Sequence, residues 1–434
     1  MKGRHIAGLD IGSTKITLAA GRAGRSGIEV AGAVSVASRG LRKGVVVDID
    51  ETANSIGLAV KEARSAYGVD IRAAYVGISG GHITSRESSG VAGIKGKEVD
   101  PGDLERAMDS ASAVYVPLDR EILHVLPSEY IIDGQDGISR PLGMAGVRLE
   151  VKVQVLTASQ AALDNLERAL DRSGLRPIET VFQPVAGAMA VLRREEREQG
   201  VLYMDMGGGT TDISLFKGGS LRWAGVIPVG GGHATNDIAI GLKLPRDEAE
   251  RLKRLHGLGP EKVNLFETRE NVEARGMNGK AVTVSHAELA RIIRLRMEEL
   301  FDLVKNETDP WSVKYQPLCA VITGGASRMG EIARMAERCL GLPVRIGLPE
   351  KVPPQYDLKG QGAFFPGAMR DPAHAAAAGL LLYGFEAEGG VRAVSSNVFS
   401  DSIGMARQTI AEQGRALAKK IIGKVRLFEW GARE

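Results

Sequence analysis

Asp10-Ile-Gly-Ser-Thr-Lys-Ile-Thr17 and Asp205-Met-Gly-Gly-Gly-Thr-Thr-Asp-Ile-Ser214 follow one order of residues. Each begins with an aspartate closing an apolar strand pattern, passes through a glycine-rich turn with hydroxyls and one charged residue, and enters an alternating strand. The two lie 195 residues apart, which predicts a duplicated architecture of two related α/β halves. A third apolar strand pattern, Cys319–Thr323, runs into Gly324-Gly325.

A strand–turn–strand hairpin of this kind directs several backbone N–H groups into one concavity, where they can bind phosphate oxygens. Glycine permits positive φ and close approach of the backbone to a ligand. That makes Gly12, Gly207, Gly208 and Gly209 the candidate cradle. Ser13, Thr14, Thr210 and Thr211 add hydroxyl donors, and Lys15 adds a compact charge suited to phosphates. Asp10 and Asp205 would face anionic phosphates and therefore need a cation between, for which Mg²⁺ with retained waters is suited. One such hairpin alone reads as a tight β-turn. Two matched hairpins and a third glycine turn read as a nucleotide site. No GxxxxGK[ST] segment occurs, and the glycine clusters open hairpins or follow late strands rather than forming GxGxxG.

The rest of the chain sets bounds. Its 434 residues suggest two to four domains at about 150 residues each, and 44% hydrophobic with 25% charged residues argues against wholesale disorder. A formal charge of +3 is too balanced to indicate a nucleic-acid partner. Two cysteines, Cys319 and Cys339, cannot frame a chain this long; they fit a reducing compartment and are expected to be buried structural thiols. Asp10 and Lys15 interrupt the first apolar stretch, so no signal peptide is read. The run Ala375–Phe385 falls short of the roughly 20 apolar residues of a membrane span. A cytoplasmic protein is expected. Helix patterns cover Glu51–Tyr67, Pro101–Ala113, Ala158–Ser173, Arg246–Leu255 and Ser285–Lys305, with strand patterns near His124–Ile132 and Leu149–Leu156.

These residues carry a family resemblance. Gly8-Leu-Asp-Ile-Gly-Ser-Thr-Lys15 and Asp205–Asp212 resemble the two phosphate hairpins of the superfamily of actin, hexokinase and the heat-shock chaperones. Ile322-Thr-Gly-Gly-Ala-Ser-Arg328 resembles its adenosine motif, and Phe182–Ala188 and Ala375–Tyr383 resemble its two connecting helices. The match narrows to the FtsA family of bacterial actin-like cell-division proteins. Gly77–Arg86, Ile94–Glu98, Ile122–Pro127 and Gly143–Glu150 resemble that family's inserted subdomain, and Val226–Gly241 is similarly specific. The resemblance covers about residues 5–385.

It implies an α/β, actin-like, duplicated two-lobed ATPase fold with an inserted small α/β subdomain and a C-terminal amphipathic helix. The expected divisions are a first lobe at 1–80 with 175–193 and 355–388, and an insert at 81–174. The second lobe would take 194–235 with 306–354, its small subdomain 236–305, a linker 389–412 and the terminal helix 413–434. By the same resemblance ATP and Mg²⁺ are the cofactors. Asp10 and Asp205 would hold Mg²⁺ through water, Lys15 would meet the phosphates, and Gln183 and Asp212 would order the attacking water. Such positioning could suffice for slow hydrolysis. Glu250 and Lys253, three apart on one helix face, would meet the ribose, and Gly324, Gly325 and Arg328 would border adenine. One departure is Gly232, where the family usually has a polar or acidic side chain; a looser turn is expected. The segment 352–370 is also bulkier than the family pattern.

On a helical wheel, Leu417, Ala418, Ile421, Ile422, Val425 and Phe428 share one arc, opposite Lys419, Lys420, Lys424 and Arg426. Residues 415–434 hold six Lys/Arg against two Glu, so the basic character is local. Read alone, this is a helix docked on its own protein or an interfacial membrane anchor; the family resemblance implies the anchor, with Leu417, Ile421, Val425 and Phe428 entering an anionic membrane surface. Gly423 within the helix and Glu429 on the apolar arc count against it. The implied function is a scaffold that tethers the tubulin-like FtsZ to the inner face of the cytoplasmic membrane at the division site. It would self-assemble into filaments and recruit later divisome membrane proteins, with FtsZ meeting roughly Asp237–Lys305. A small-molecule kinase, a chaperone-like ATPase or a pilus-assembly homologue of the same superfamily is the alternative. No catalytic carboxylate outside the nucleotide motifs favours the kinase, and no peptide-binding β domain follows residue 385.

Overall fold

Strand β1 (His5–Ile11) and β2 (Lys15–Gly24) pair antiparallel with Asp10 opposite Thr17, and β3 (Gly27–Ala37) continues the meander. On its other edge β1 pairs in parallel with β4 (Ala73–Ile78), which pairs in parallel with β5 (Arg176–Phe182). The computed structural model describes residues 5–24, 27–258, 271–352 and 368–388. The second half repeats this order strand for strand: β6 (Val201–Met206), β7 (Thr211–Lys217) and β8 (Ser220–Ile227) form the meander, and β9 (Cys319–Thr323) and β10 (Val344–Ile346) add in parallel. Asp205 faces Asp212 on β7 and Thr323 on β9, as Asp10 faces Thr17 on β2 and Gly77 on β4. The duplication read from two short motifs therefore extends over two five-stranded sheets.

Helix α1 (Ile49–Tyr67) follows the first meander. The Asp48 carboxylate caps it by accepting the Glu51 N–H at 3.0 Å, and Gly68 closes it at φ 68°. Helices α2 (Gln183–Val191) and α6 (Ala375–Ala387) are apolar almost all round and run through the middle of the molecule, where α2 is buried along its whole length. A Cβ on Gly379 would lie 1.9 Å from the Ala186 carbonyl oxygen, so the two helices cross with backbone against backbone. Along β6, Val201 and Tyr203 face these helices, whereas Leu202, Met204 and Met206 face a second core. That second core lies under α3 (Gly231–Gly241), α4 (Arg246–His256) and α5 (His286–Tyr315). Period-two alternation thus splits one strand between two cores.

Between β4 and β5 stands a four-stranded sheet, in the order Thr84–Gly93, Arg148–Ser159, Arg120–Ile132, Gln135–Ile138. Helix Pro101–Ser112 covers it and closes a third, separate core. Helix Gln160–Ser173 begins two residues later than the pattern from Ala158, because the preceding strand continues to Ser159.

Two expectations are corrected. Cys319 and Cys339 are half-buried rather than buried; each stands at or near the end of its element, Cys319 opening β9 and Cys339 next to last in helix Ile332–Leu340. The pattern ending at Lys305 is also too short, since α5 continues through Pro310 to Tyr315. Proline inside a helix costs about 3 kcal/mol, and here long-range contacts hold the extra turns. Trp311 stacks on Trp223 with centroids 6.0 Å apart, and Tyr315 and Lys314 donate to the Glu87 carboxylate of the insert at 3.2 and 3.0 Å. Both side chains of the Lys314–Glu87 pair keep solvent contact. A double-mutant cycle of Glu87→Ala and Lys314→Ala, read by denaturant unfolding, should therefore give a coupling of about 0.2–1 kcal/mol. Zero coupling would show that the Lys314–Glu87 pair adds nothing to the contact between the insert and α5. No helix among the described residues is long and apolar enough to cross a membrane. The terminal helix expected at 413–434, the linker and most of 352–370 lie outside the described residues.

Candidate functional site

Both glycine hairpins close in the same way. The Gly12 N–H donates to the Lys15 carbonyl at 3.0 Å, and the Gly207 N–H donates to the Thr210 carbonyl at 2.9 Å. The two tips abut. A Cβ on Gly208 would fall 2.2 Å from the Thr14 methyl, and one on Gly209 would fall 2.6 Å from the Ser13 Oγ. Only glycine at these positions lets the two backbones come this near.

Asp10 is buried and accepts the Gln183 side-chain amide at 2.7 Å. Burial pushes its carboxyl up to about 6, with Lys15 opposing. Asp205 is pushed up to about 7 by burial and then by the Asp10 charge, again opposed by Lys15. Asp212, also buried, is raised well above the carboxylate range first by burial; the Ser79 hydroxyl, which donates to it, opposes, while Asp205 and Asp10 add to the rise. The half-buried Asp205 thus lies close enough to the buried Asp10 and Asp212 for the charges to raise one another. A carboxyl raised on folding keeps its proton to a higher pH than in the unfolded chain, so ionising Asp10 and Asp205 between about pH 4 and 7 withdraws stability. A bound cation would relieve that cost. Among the described residues no group of three or more His, Cys, Asp or Glu is arranged to hold a metal. Two hard carboxylates beside the glycine turns fit an ion such as Mg²⁺ that keeps its waters and shares its remaining positions with phosphate oxygens.

The Lys15 ammonium donates to the Ala373 carbonyl at 2.5 Å. Burial lowers its pKa, and the Asp10 charge chiefly counters this. The Ser13 Oγ accepts the Gly44 N–H at 2.9 Å. Thr211 donates its hydroxyl to the Val229 carbonyl at 2.8 Å, and the Thr210 hydroxyl lies 3.4 Å from the Ser79 Oγ.

Glu250 and Lys253 are brought together, with Lys253 buried and 2.7 Å from Glu250. The same ammonium donates to the Gly231 carbonyl and the Thr235 hydroxyl at 2.9 and 2.7 Å, so the pair braces the first turn of α3. That turn rests on the second hairpin: the Gly231 and Gly232 N–H groups donate to the Gly207 and Gly208 carbonyls at 2.9 and 2.8 Å. A Cβ on Gly232 would sit 2.7 Å from the Gly208 oxygen. The expected looser turn is thereby corrected, because the missing side chain permits a tighter seat.

Gly324, at φ 87°, has no room for a side chain, since its Cβ would lie 2.3 Å from the Asp205 carboxylate; Gly325 is open. Arg328 donates to Asp371, with its Nε at 2.8 Å. Sequence reasoning missed this partner and the turn around it. The Pro372 carbonyl accepts the Gly324 N–H at 2.9 Å and the Ala373 carbonyl accepts Lys15, so residues 371–373 stitch the first hairpin to the third glycine turn. The signal was Asp371-Pro372 just ahead of a helix, a cap pattern; the Asp371 carboxylate does accept the Ala373 N–H at 2.8 Å. Ser79 and Gly44 were also missed.

The chain was compared with known proteins. Residues 80–157 match the family described as SHS2 domain inserted in FtsA, and residues 202–379 match that described as cell division protein FtsA. Among curated relatives, cell division protein FtsA of Pseudomonas aeruginosa is 38% identical over 92% of this chain and 94% of its own length. That of Bacillus subtilis is 34% identical over 86% and 82%. Among solved structures, a chain of a PilM-PilN type IV pilus biogenesis complex superposes with TM-score 0.64 at 20% identity, covering 87% of this chain and 98% of that one.

Proposed function

The chain belongs to the FtsA family of cell division proteins, and on that premise we propose that it is an ATP- and Mg²⁺-binding scaffold that holds FtsZ at the cytoplasmic membrane of the division site. Self-assembly into filaments and recruitment of later divisome membrane proteins complete the reading. The observation that carries the nucleotide part is the pair of like-closed hairpins meeting tip to tip beside the buried Asp10 and Asp212 and the half-buried Asp205.

Bound ATP would lie with its phosphates between the hairpins. The N–H groups of the glycine turns and the Lys15 ammonium would bind phosphate oxygens, and Asp10 and Asp205 would hold the waters of Mg²⁺. Mg²⁺ supplies charge neutralisation at the phosphates. Gln183 and Asp212 are the groups available to orient a water for slow hydrolysis. Glu250 and Lys253 at the base of α3, with Gly324, Gly325 and Arg328 opposite, would bound the nucleoside.

Gln183→Ala should leave ATP affinity within about threefold of wild type while lowering turnover of bound ATP. The amide orients water and Asp10 rather than holding nucleotide. Calorimetry beside single-turnover hydrolysis checks this, and a large affinity loss with normal turnover would contradict it.

Co-sedimentation with anionic liposomes, ATP and FtsZ tests the scaffold reading as a whole. The expected result is recruitment of FtsZ to vesicles only when this protein is present. FtsZ left in the supernatant under every nucleotide condition would overturn the tether.

A further inference from the structure

The two halves are matched strand for strand, so their differences mark what was added. Asp212 corresponds by register to Thr17, whose hydroxyl is 2.9 Å from the Ser35 hydroxyl within its own sheet. Ser79 stands two residues past Gly77, where the other half, two past Thr323, has the bare Gly325. Only one half thus has a carboxylate at this place, and only the opposite half supplies a hydroxyl to meet it. Ser79 and Asp212 are both buried, and the Ser79 Oγ donates to the Asp212 carboxylate from the first lobe to the second.

Ser79 is also the residue immediately before the inserted domain, which is matched from residue 80. Its backbone packs closely on Gly44, where an added Cβ would lie 2.6 Å from the Ser79 carbonyl. The first turn of the insert is fixed to the insert's own sheet: Arg120 donates to the His82 carbonyl, the Thr84 hydroxyl and the Thr157 carbonyl, each at 2.8 Å. The insert sheet and Ser79 are therefore joined by a short, braced connection, and little slack separates a tilt of the sheet from a shift of the hydroxyl.

We propose that Ser79 is a positioning residue: delivered by the root of the insert, its hydroxyl holds Asp212 in place across the cleft and transmits the attitude of the insert to the site of hydrolysis. This rests on the nucleotide reading of the site. Thr210, 3.4 Å from the same hydroxyl, belongs to the second hairpin, so both hydroxyl contacts of Ser79 among the described residues reach the opposite lobe. A ligand or partner that tilts the insert would act on turnover through this contact, without touching nucleotide.

The test uses the full chain as Ser79→Ala, Ser79→Thr and Asp212→Asn. In Ser79→Ala, affinity for a fluorescent ATP analogue and KM should stay within about threefold of wild type. Its kcat should fall about ten- to a hundredfold, the cost of a misplaced group. Without nucleotide, amide exchange should rise together in residues 80–84 and 211–214. Ser79→Thr, which keeps the hydroxyl, should restore both readouts; Asp212→Asn, which weakens the acceptor, should show the same exchange signature and decides the matter if Ser79→Ala does not fold. If wild type binds nucleotide but does not turn it over, exchange alone decides. Unchanged exchange in Ser79→Ala, or a threonine variant no better than alanine, would overturn the proposal and leave the nucleotide reading standing. A wild type that binds no nucleotide would remove both.

Discussion

Lys15→Ala should weaken ATP binding by about ten- to a hundredfold, the equivalent of a charge-assisted contact of roughly 1.5–3 kcal/mol. The ammonium is the cation closest in electrostatic effect to both Asp10 and Asp205, opposing the rise of each carboxyl. It sits at the start of β2, where the first hairpin closes. It donates to the Ala373 carbonyl, a neutral acceptor in place of which phosphate oxygens would offer a stronger, charged one. Titration calorimetry in Mg²⁺ measures the loss directly. Unchanged affinity would mean that the ammonium stays on Ala373 and that the phosphates are held by backbone N–H groups alone. Lys15→Arg should recover only part of the binding, because a planar guanidinium does not fit a point-charge site.

Removing residues 413–434 should abolish co-sedimentation with anionic liposomes while ATP binding stays at the wild-type level. The apolar arc of Leu417, Ile421, Val425 and Phe428 would gain about 1.5–3 kcal/mol for each large side chain fully buried. Helix ordering and partial burial take back much of that. Lys419, Lys420, Lys424 and Arg426 would each add on the order of 1 kcal/mol near an anionic surface, and added salt should erase their share. Phe428→Glu should act nearly as strongly as truncation, because it places a charge within the apolar arc. Assembly would strengthen the anchor by presenting many tails at once. Unaltered co-sedimentation after truncation would make the tail a helix docked on its own protein.

The hairpins were legible because the bond that closes each spans only four residues, from Gly12 to Lys15 and from Gly207 to Thr210. Turn chemistry that local is written in residue type and order. Strand alternation likewise marked the two strands of each hairpin, and the helix pattern Glu51–Tyr67 covers most of α1, whose ends are set by Asp48 and Gly68. The family's motifs then supplied the order of the parts. Glu250 and Lys253 are a pair implied by the family resemblance, and their place under the first turn of α3 depends on Gly231 and Thr235.

What the sequence by itself determined, then, is the set of local devices: two like hairpins, a third glycine turn, the periodic helix patterns, and an amphipathic pattern at the end of the chain. Only the tertiary structure decided which side chains meet across distance. Ser79 reaches Asp212 across 133 residues and Lys15 reaches Ala373 across 358, pairings that no periodicity encodes. Pro310 stops a helix by propensity, yet α5 runs through it because Trp223 and Glu87, both remote in sequence, hold the turns beyond. Gly232 reads as a loosened turn in the sequence, whereas in the fold the Gly208 carbonyl lies 2.7 Å from where its Cβ would be. The physical reason is the same in each case: local order depends on neighbours a few residues away, whereas the shape and charge of the site depend on which surfaces the packed lobes press together.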